Sequence, residues 1–269
     1  MRLRARLVLF TLLLASCTLS PGATPRHVFL IVMENHTAEQ ALSGSFMASL
    51  AATYRTADNY HAIIHPSLPN YLAMTSGSTW GITDDSYHVL PREDLGTQLT
   101  NAGVGWKAYM EGLDPSLGCI DSPLPYDPGH NPFAFYGGQC PPNVVPLTQL
   151  SSDLQSGTPM FTWITPDRCH DTHDCDVSVG DDWLRGQVGE IMASDAWKSN
   201  GILFVTYDED DTSADNRVVM IVAGPGMSHK TSNREYTHYS LLATIEDLLG
   251  VGRLGEAKNA SPMNDLIGP

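Results

Sequence analysis

The stretch His65-Pro66-Ser67-Leu68-Pro69-Asn70-Tyr71-Leu72 sets a hydroxyl between two prolines, two residues after an imidazole and three before a carboxamide. The run from Asn70 onward reads as a short helix stopped by Gly77. Pro69 then lies in its first turn, where a missing N–H costs nothing, and Ser67 falls at the N-cap. A serine there has two readings. It is an ordinary helix cap, or it is a hydroxyl at the positive end of a helix, where an alkoxide or an attached phosphoryl group is stabilised. The eight residues alone favour the cap. Other groups in the chain change the balance: Glu34-Asn35, Glu111, the run His170-Asp171-Thr172-His173-Asp174, and Asp208-Glu209-Asp210-Asp211. Each has a plain explanation, since acidic turns are common and a lone loop histidine is usually just solvated. Brought together, however, carboxylates repel unless a cation sits among them.

Apolar runs with few breaks precede these groups, at His27–Met33, Trp106–Met110, Met160–Thr165 and Gly201–Tyr207, and a fifth run is Val218–Ala223. Such runs predict fully buried strands of a parallel sheet. Helical patterns lie between them at Phe46–Tyr54, Asp94–Asn101, Val179–Ser194 and Tyr239–Leu249. Alternating strand and helix predicts an α/β fold with a central, mostly parallel sheet, in which ligands bind beyond the carboxyl ends of the strands. Four strands therefore deliver carboxylates and imidazoles to one edge. Residues 27–269 suit a single domain, and the Pro- and Gly-rich insert at 112–146 reads as a loop-rich excursion over the site face.

The first sixteen residues have a signal-peptide design, with Arg2, Arg4 and Arg6 before an apolar run too short to span a bilayer. Leu14-Ala15-Ser16-Cys17 resembles a bacterial lipobox. The expectation is thus a lipoprotein-type signal over 1–16, lipidation at Cys17, and a tether over 17–26, with a simple cleaved signal as the alternative. In either case the protein works outside the cytoplasm, lipid-anchored at Cys17 or secreted, and the only membrane contact expected is that N-terminal anchor. Cleavage before Cys17 removes three arginines and no acid, taking the formal charge from −15 to −18. That surface repels nucleic acid, so no nucleic-acid partner is expected. Of the remaining cysteines, sequence proximity pairs Cys119 with Cys140 and Cys169 with Cys175, as fits an oxidising compartment. A zinc site in "CHDTHDC" is the competing reading. GxxxxGK[ST] does not occur, and the single GxGxxG, Gly250 to Gly255, follows the helical pattern at Tyr239–Leu249 rather than a strand, which disfavours nucleotide-dependent enzymes. A G-x-S-x-G elbow is missing too, which disfavours an esterase of the serine-hydrolase type.

The blocks "HVFLIVMENHT", "HPSLPNYLAMTSG", "ITPDRCHDTHDCDVSVGDDWL", "ILFVTYDEDD" and "YTHYSLLATIEDLLG" resemble, in order, those of the phosphoesterase family of bacterial acid phosphatases and phospholipases C. The likeness is greatest to the short, secreted acid phosphatases of mycobacterial type. It implies an alkaline-phosphatase-like three-layer α/β fold and a set of roles. Glu34 and Asn35 match a metal-binding pair, Ser67 a nucleophile that also ligates the metal, and Asp208 and Glu209 the acidic pair that completes the shell. Asn70 matches a phosphate-holding residue, His173 a catalytic histidine, and His130 in "GHNPF" a substrate-side histidine. His238 in "THYS" fits a family block without an assigned role. Where many relatives read "ENRS" or "ENHS", this chain has Glu34-Asn35-His36-Thr37, so a possible arginine contact is absent.

Phosphoryl transfer needs an in-line nucleophile, charge neutralisation on the equatorial oxygens and a proton for the leaving group. The expected activity is an exported, metal-dependent acid phosphatase acting on small phosphomonoesters or phosphoinositides through a phosphoserine. It would use one divalent ion. Oxygen ligands favour Ca²⁺, Mg²⁺ or Mn²⁺, and a histidine in the shell would favour Zn²⁺. The rival readings are a phospholipase C-type phosphodiesterase with the same site and a non-catalytic lipoprotein that binds metal or phosphate.

Overall fold

A computed structural model describes residues 26–268. The signal, lipidation and tether expectations up to residue 25 lie outside the described residues. The strands are β1 (His27–Met33), β2 (Arg55–Ala57), β3 (Tyr60–His61), β4 (Trp106–Met110), β5 (Val144–Pro146), β6 (Phe161–Thr165), β7 (Gly201–Tyr207), β8 (Met220–Ala223), β9 (Lys230–Ser232) and β10 (Tyr236–Thr237). Eight form one sheet in the order β5-β4-β6-β1-β7-β8-β2-β9, and β3 pairs with β10 separately. The ladder is parallel except where β8 runs against β7 and β2.

The uninterrupted apolar runs become the central strands because both faces of the sheet are covered. Val28 through Met33 and all of β7 are buried. The helices Ser67–Ser76, Leu95–Ala102 and His238–Leu249 pack together as one group. Val177–Ala193 packs with Ser45–Thr53, Leu150–Gln155 and Asp195–Asn200 as another, and β1 is touched by His238–Leu249 from the first group and by Asp195–Asn200 from the second. This is the three-layer α/β order. Asp181 on the long helix accepts the Phe46 and Met47 N–H groups at 2.8 Å each, capping the Ser45–Thr53 helix from across the layer. The short strands β2, β5 and β9 lay outside the sequence expectation, since three residues carry no readable period.

Register decides where the chemistry lands. β1 and β7 pair from His27–Gly201 to Met33–Tyr207, ending in step, and the Asp208 N–H donates to the Met33 carbonyl at 3.0 Å. Glu34-Asn35 and Asp208-Glu209 therefore leave the sheet side by side. The insert runs through 3-10 turns at Pro128–His130 and Pro132–Ala134. Phe133 seats it, edge-on to Trp163 with centroids 5.4 Å apart and 4.9 Å from Trp106. Both expected cysteine pairs are disulfides, with Cα separations of 5.4 Å for Cys119–Cys140 and 4.8 Å for Cys169–Cys175. With both thiols of "CHDTHDC" bonded to each other, a thiolate zinc site there is replaced by the disulfide.

Candidate active site

The helix over Ser67–Ser76 ends as the sequence suggested, at Gly77 with φ +68°, a turn only glycine takes without strain. Its start differs by one residue. Pro66 is the N-cap and Ser67 the first helical residue, and no side chain caps that end. The Ser67 hydroxyl is directed instead to Glu34 Oε2 at 3.0 Å and to Asn35 Oδ1 and Glu209 Oε1 at 3.3 Å each. Among the first-turn donors, the Leu68 N–H is already held by Asp85 at 3.0 Å.

The carboxylates around this hydroxyl are in an unusual state for acids. Glu34 and Asp208 are fully buried and Glu209 nearly so. Burial, then the neighbouring Asp208 charge, pushes the Glu34 carboxyl well above its ordinary range. Burial and Glu209 do the same to Asp208. Burial also pushes Glu209 up to about 8. Glu34 Oε1 and Asp208 Oδ2 accept no hydrogen bond. The Asn35 amide approaches Glu34 Oε2 at 2.5 Å and Asp208 Oδ1 at 3.0 Å. With its oxygen turned in, three oxygens meet and need a carboxyl proton or a cation between them; with its nitrogen turned in, both acids gain a donor. Asn35 itself has φ +26°, a conformation asparagine tolerates better than most residues. Orphaned carboxylate oxygens, an amide oxygen and a hydroxyl form a hard-oxygen donor set that suits one divalent cation.

His130 enters from the insert and is buried, stacked on Tyr71 with centroids 5.6 Å apart. Its Nε2 lies 3.3 Å from Glu34 Oε1 and its Nδ1 3.1 Å from Asp171 Oδ2. Burial alone would depress the imidazole, but Glu34 and Asp171 override it and raise the ring to about 9. Asp171 is a residue to which the sequence assigned no role. It is fully buried, its carbonyl accepts the Glu34 N–H at 2.9 Å, and Thr172 Oγ1 donates to the Glu34 carbonyl at 2.8 Å. Thr172 has φ +82°, strained for a β-branched residue. Gly180 permits this, since a Cβ there would meet Thr172 Cγ2 at 2.3 Å and the His170 carbonyl at 2.7 Å.

The remaining candidates divide. His173 is exposed, its ring centroid 5.9 Å from that of His130. Asn70 is fully buried, and its amide is occupied with the loop before the helix. Oδ1 accepts from Ile63 and Ile64 N–H at 2.9 and 3.2 Å. Nδ2 donates to the Ile64 carbonyl at 2.6 Å and to Glu209 Oε2 at 3.2 Å. His238, whose role the sequence left open, stands behind the acidic pair. Burial lowers its ring to about 4, Nε2 donates to the Asp208 carbonyl at 2.5 Å, and Nδ1 accepts from Tyr60 at 2.9 Å. His65 lies against Glu209 and the residue after it, Nδ1 2.9 Å from Glu209 Oε2 and Nε2 3.2 Å from Asp210 Oδ1. Its place two residues before Ser67 was the available signal.

A protein of the alkaline phosphatase superfamily from Vibrio parahaemolyticus has the same fold. The TM-score is 0.62, over 86% of this chain and 68% of that one, at 11% identity. The sequence model of the Phosphoesterase family matches residues 31–252, and the chain belongs to that family. Phosphatidylinositol-3-phosphatase of Mycobacterium tuberculosis is 31% identical over 250 residues, covering 90% of this chain and 83% of that protein. An acid phosphatase of Aspergillus fumigatus is 25% identical over 254 residues. That match covers 87% of this chain but 57% of the fungal protein. The chain is a phosphoric ester hydrolase.

Proposed function

We propose that this protein is a metal-dependent phosphomonoesterase working through a phosphoserine at Ser67. The observation that carries this reading is the Ser67 hydroxyl, which caps nothing and points into a cluster of carboxylates at the first residue of a helix. Glu34, Asn35, Ser67, Asp208 and Glu209 would hold one divalent ion, which would lower the pKa of the hydroxyl and draw charge from the phosphoryl group. In this reading Ser67 Oγ attacks phosphorus in line, and a carboxylate at 3.0–3.3 Å accepts the hydroxyl proton. The bond from phosphorus to the leaving oxygen breaks as His173 Nε2 gives that oxygen a proton. Water then attacks the phosphoseryl phosphorus and His173 takes its proton; the bond from phosphorus to Ser67 Oγ breaks as the carboxylate returns the hydroxyl proton to Oγ, with inorganic phosphate as product. His130, kept cationic by Glu34 and Asp171, is suited to neutralise a non-bridging phosphoryl oxygen. Asn70 acts here by positioning Glu209 and the loop at 63–66 rather than by holding phosphate.

Small phosphomonoesters are the substrate class, with phosphoinositide monophosphates among them. The name of the mycobacterial relative and those of the fungal acid phosphatases support this choice. Two disulfides support an extracytoplasmic location, to which a lipid anchor at Cys17 would add membrane attachment. The test is Ser67→Ala. Turnover of p-nitrophenyl phosphate should vanish with the melting temperature retained. Turnover within about tenfold of wild type, a barrier change of only ~1.4 kcal/mol, refutes the covalent route. Efficient release of diacylglycerol from phosphatidylcholine, with little phosphate from any monoester, would favour the phospholipase C reading instead.

A further inference from the structure

His173 does not stand alone at the edge of the site. Its Nδ1 has two neighbours of opposite chemistry, the Arg168 guanidinium Nη2 at 3.0 Å and Asp174 Oδ1 at 2.8 Å. Arg168 Nη2 also donates to Asp174 Oδ1 at 2.8 Å, so the three groups form a closed triangle. A guanidinium has only donors, and an ionised carboxylate has only acceptors. Arg168 can therefore serve Nδ1 only when that nitrogen carries a lone pair. Asp174 can serve it only when it carries a proton.

We propose that Arg168 and Asp174 are positioning residues that bracket His173 Nδ1 in both of its protonation states. In the charged ring, Nδ1–H donates to Asp174. In the neutral ring, Nδ1 accepts from Arg168, which fixes the remaining proton on Nε2, the opposite edge of the imidazole. The ring keeps one orientation while its proton leaves and returns, as a residue that is acid in one half-reaction and base in the next requires. This rests on the reading of His173 as the leaving-group acid.

The bracket is built into the backbone. The Asp174 N–H donates to the Arg168 carbonyl at 2.8 Å, the Arg168 N–H donates to the Pro125 carbonyl at 3.0 Å, and the Cys169–Cys175 disulfide closes the loop between them. The other guanidinium nitrogen, Nη1, reaches Asp127 Oδ2 at 3.4 Å, and that oxygen is 3.9 Å from His130 Nε2. Arg168 thus ties His173 to the imidazole that faces Glu34. Its Nε is buried without a partner, a cost that the two terminal nitrogens must outweigh. The charged and titratable groups facing the His173 ring are Arg168, Asp174 and His130, with Asp127 behind Arg168 and Asp171 holding the His173 N–H at 2.7 Å.

The experiment is ¹⁵N NMR of the histidine side chains in the full chain saturated with Mg²⁺, joined to kinetics on two substrates. Wild-type neutral His173 is expected as the Nε2–H tautomer. In Arg168→Met only Asp174 remains at Nδ1, and the neutral ring should move to Nδ1–H. Turnover of an alkyl phosphate such as glycerol phosphate, whose leaving group needs a proton, should then fall about tenfold or more. Turnover of p-nitrophenyl phosphate should change far less. Arg168→Lys, which restores one donor, should recover the Nε2–H tautomer. A wild-type ring protonated on Nδ1 overturns the proposal without any variant. So does an unchanged tautomer in Arg168→Met, or equal losses on both substrates. The acid role itself is read separately, from the leaving-group dependence of His173→Asn.

Discussion

The state of the buried carboxylates predicts how the proposed divalent ion would bind. Glu209 is held at about 8, chiefly by burial, against an ordinary value of 4.5. Below pH 8 the free site therefore carries a proton on Glu209 that an entering ion has to displace. Each unit below that point weakens apparent affinity tenfold, so Glu209 alone makes binding at pH 5 roughly 10³-fold weaker than at pH 8, about 4 kcal/mol. Glu34 and Asp208 are raised as well and steepen the dependence. The sign is the same for the fold. A carboxyl raised on folding stabilises the metal-free protein below its unfolded value, and that stability is lost as pH rises toward 8. The assay is calorimetric titration of metal-free protein with Mn²⁺ at several pH values, in two buffers of different ionisation enthalpy so that released protons are counted. Glu209→Gln should reduce the slope of log affinity against pH by about one. Affinity flat between pH 5 and 8, with no proton release, would refute the assignment of these carboxylates.

Glu246 offers a second titration remote from the site. Its Oε1 accepts the Leu254 N–H at 2.7 Å, Oε2 is buried without a partner, and burial raises it to about 8. In the metal-saturated protein it should contribute stability below pH 4.5 that fades as pH rises to 8, so Glu246→Gln should raise the melting temperature at pH 8 by a few degrees relative to wild type. Asp181→Ala removes the acceptor of two helix N–H groups, and the denaturation midpoint should show a loss of about 2 kcal/mol. His238→Phe removes the donor that holds the Asp208 carbonyl; chelator titrations should show metal affinity falling by about tenfold while the fold persists. Initial rates should favour p-nitrophenyl phosphate over bis(p-nitrophenyl) phosphate, since the site gathers more positive charge than a diester needs; the reverse preference would count against His130 as a cation.

The central strands were legible because burial on both faces leaves an uninterrupted apolar run, and β1, β4 and β7 begin and end where those runs do. The acids after them were legible for the same reason, since parallel strands carry their following residues to one edge. Direction was less so: nothing in Val218–Ala223 distinguishes the antiparallel β8 from its parallel neighbours. Partners joined only by tertiary approach were hidden. Asp171 lay inside a noted cluster, but its pairing with His130 depends on how the insert is seated by Phe133, which local pattern does not encode. Asn70 shows the opposite case, a residue whose spacing from Ser67 was plain and whose amide is turned to its own loop.

The in-step ends of β1 and β7 also govern the order in which the protein can be made. Asn35 and Glu209 touch across 174 positions of chain, and Ser67 and Glu209 across 142. A nascent polypeptide that has not yet reached β7 holds Glu34, Asn35 and Ser67, the first part of the proposed metal set, but neither Asp208 nor Glu209. On the proposed reading the ion site is incomplete in a partial chain, and the Ser67 hydroxyl is not activated until β7 slots in beside β1. Pairings of such long span are the slow, entropy-limited events of folding. If Asp208 and Glu209 complete the proposed metal set, catalytic competence arrives only with the completed sheet, and a molecule truncated before residue 208 is expected to be inert however well its first half has collapsed.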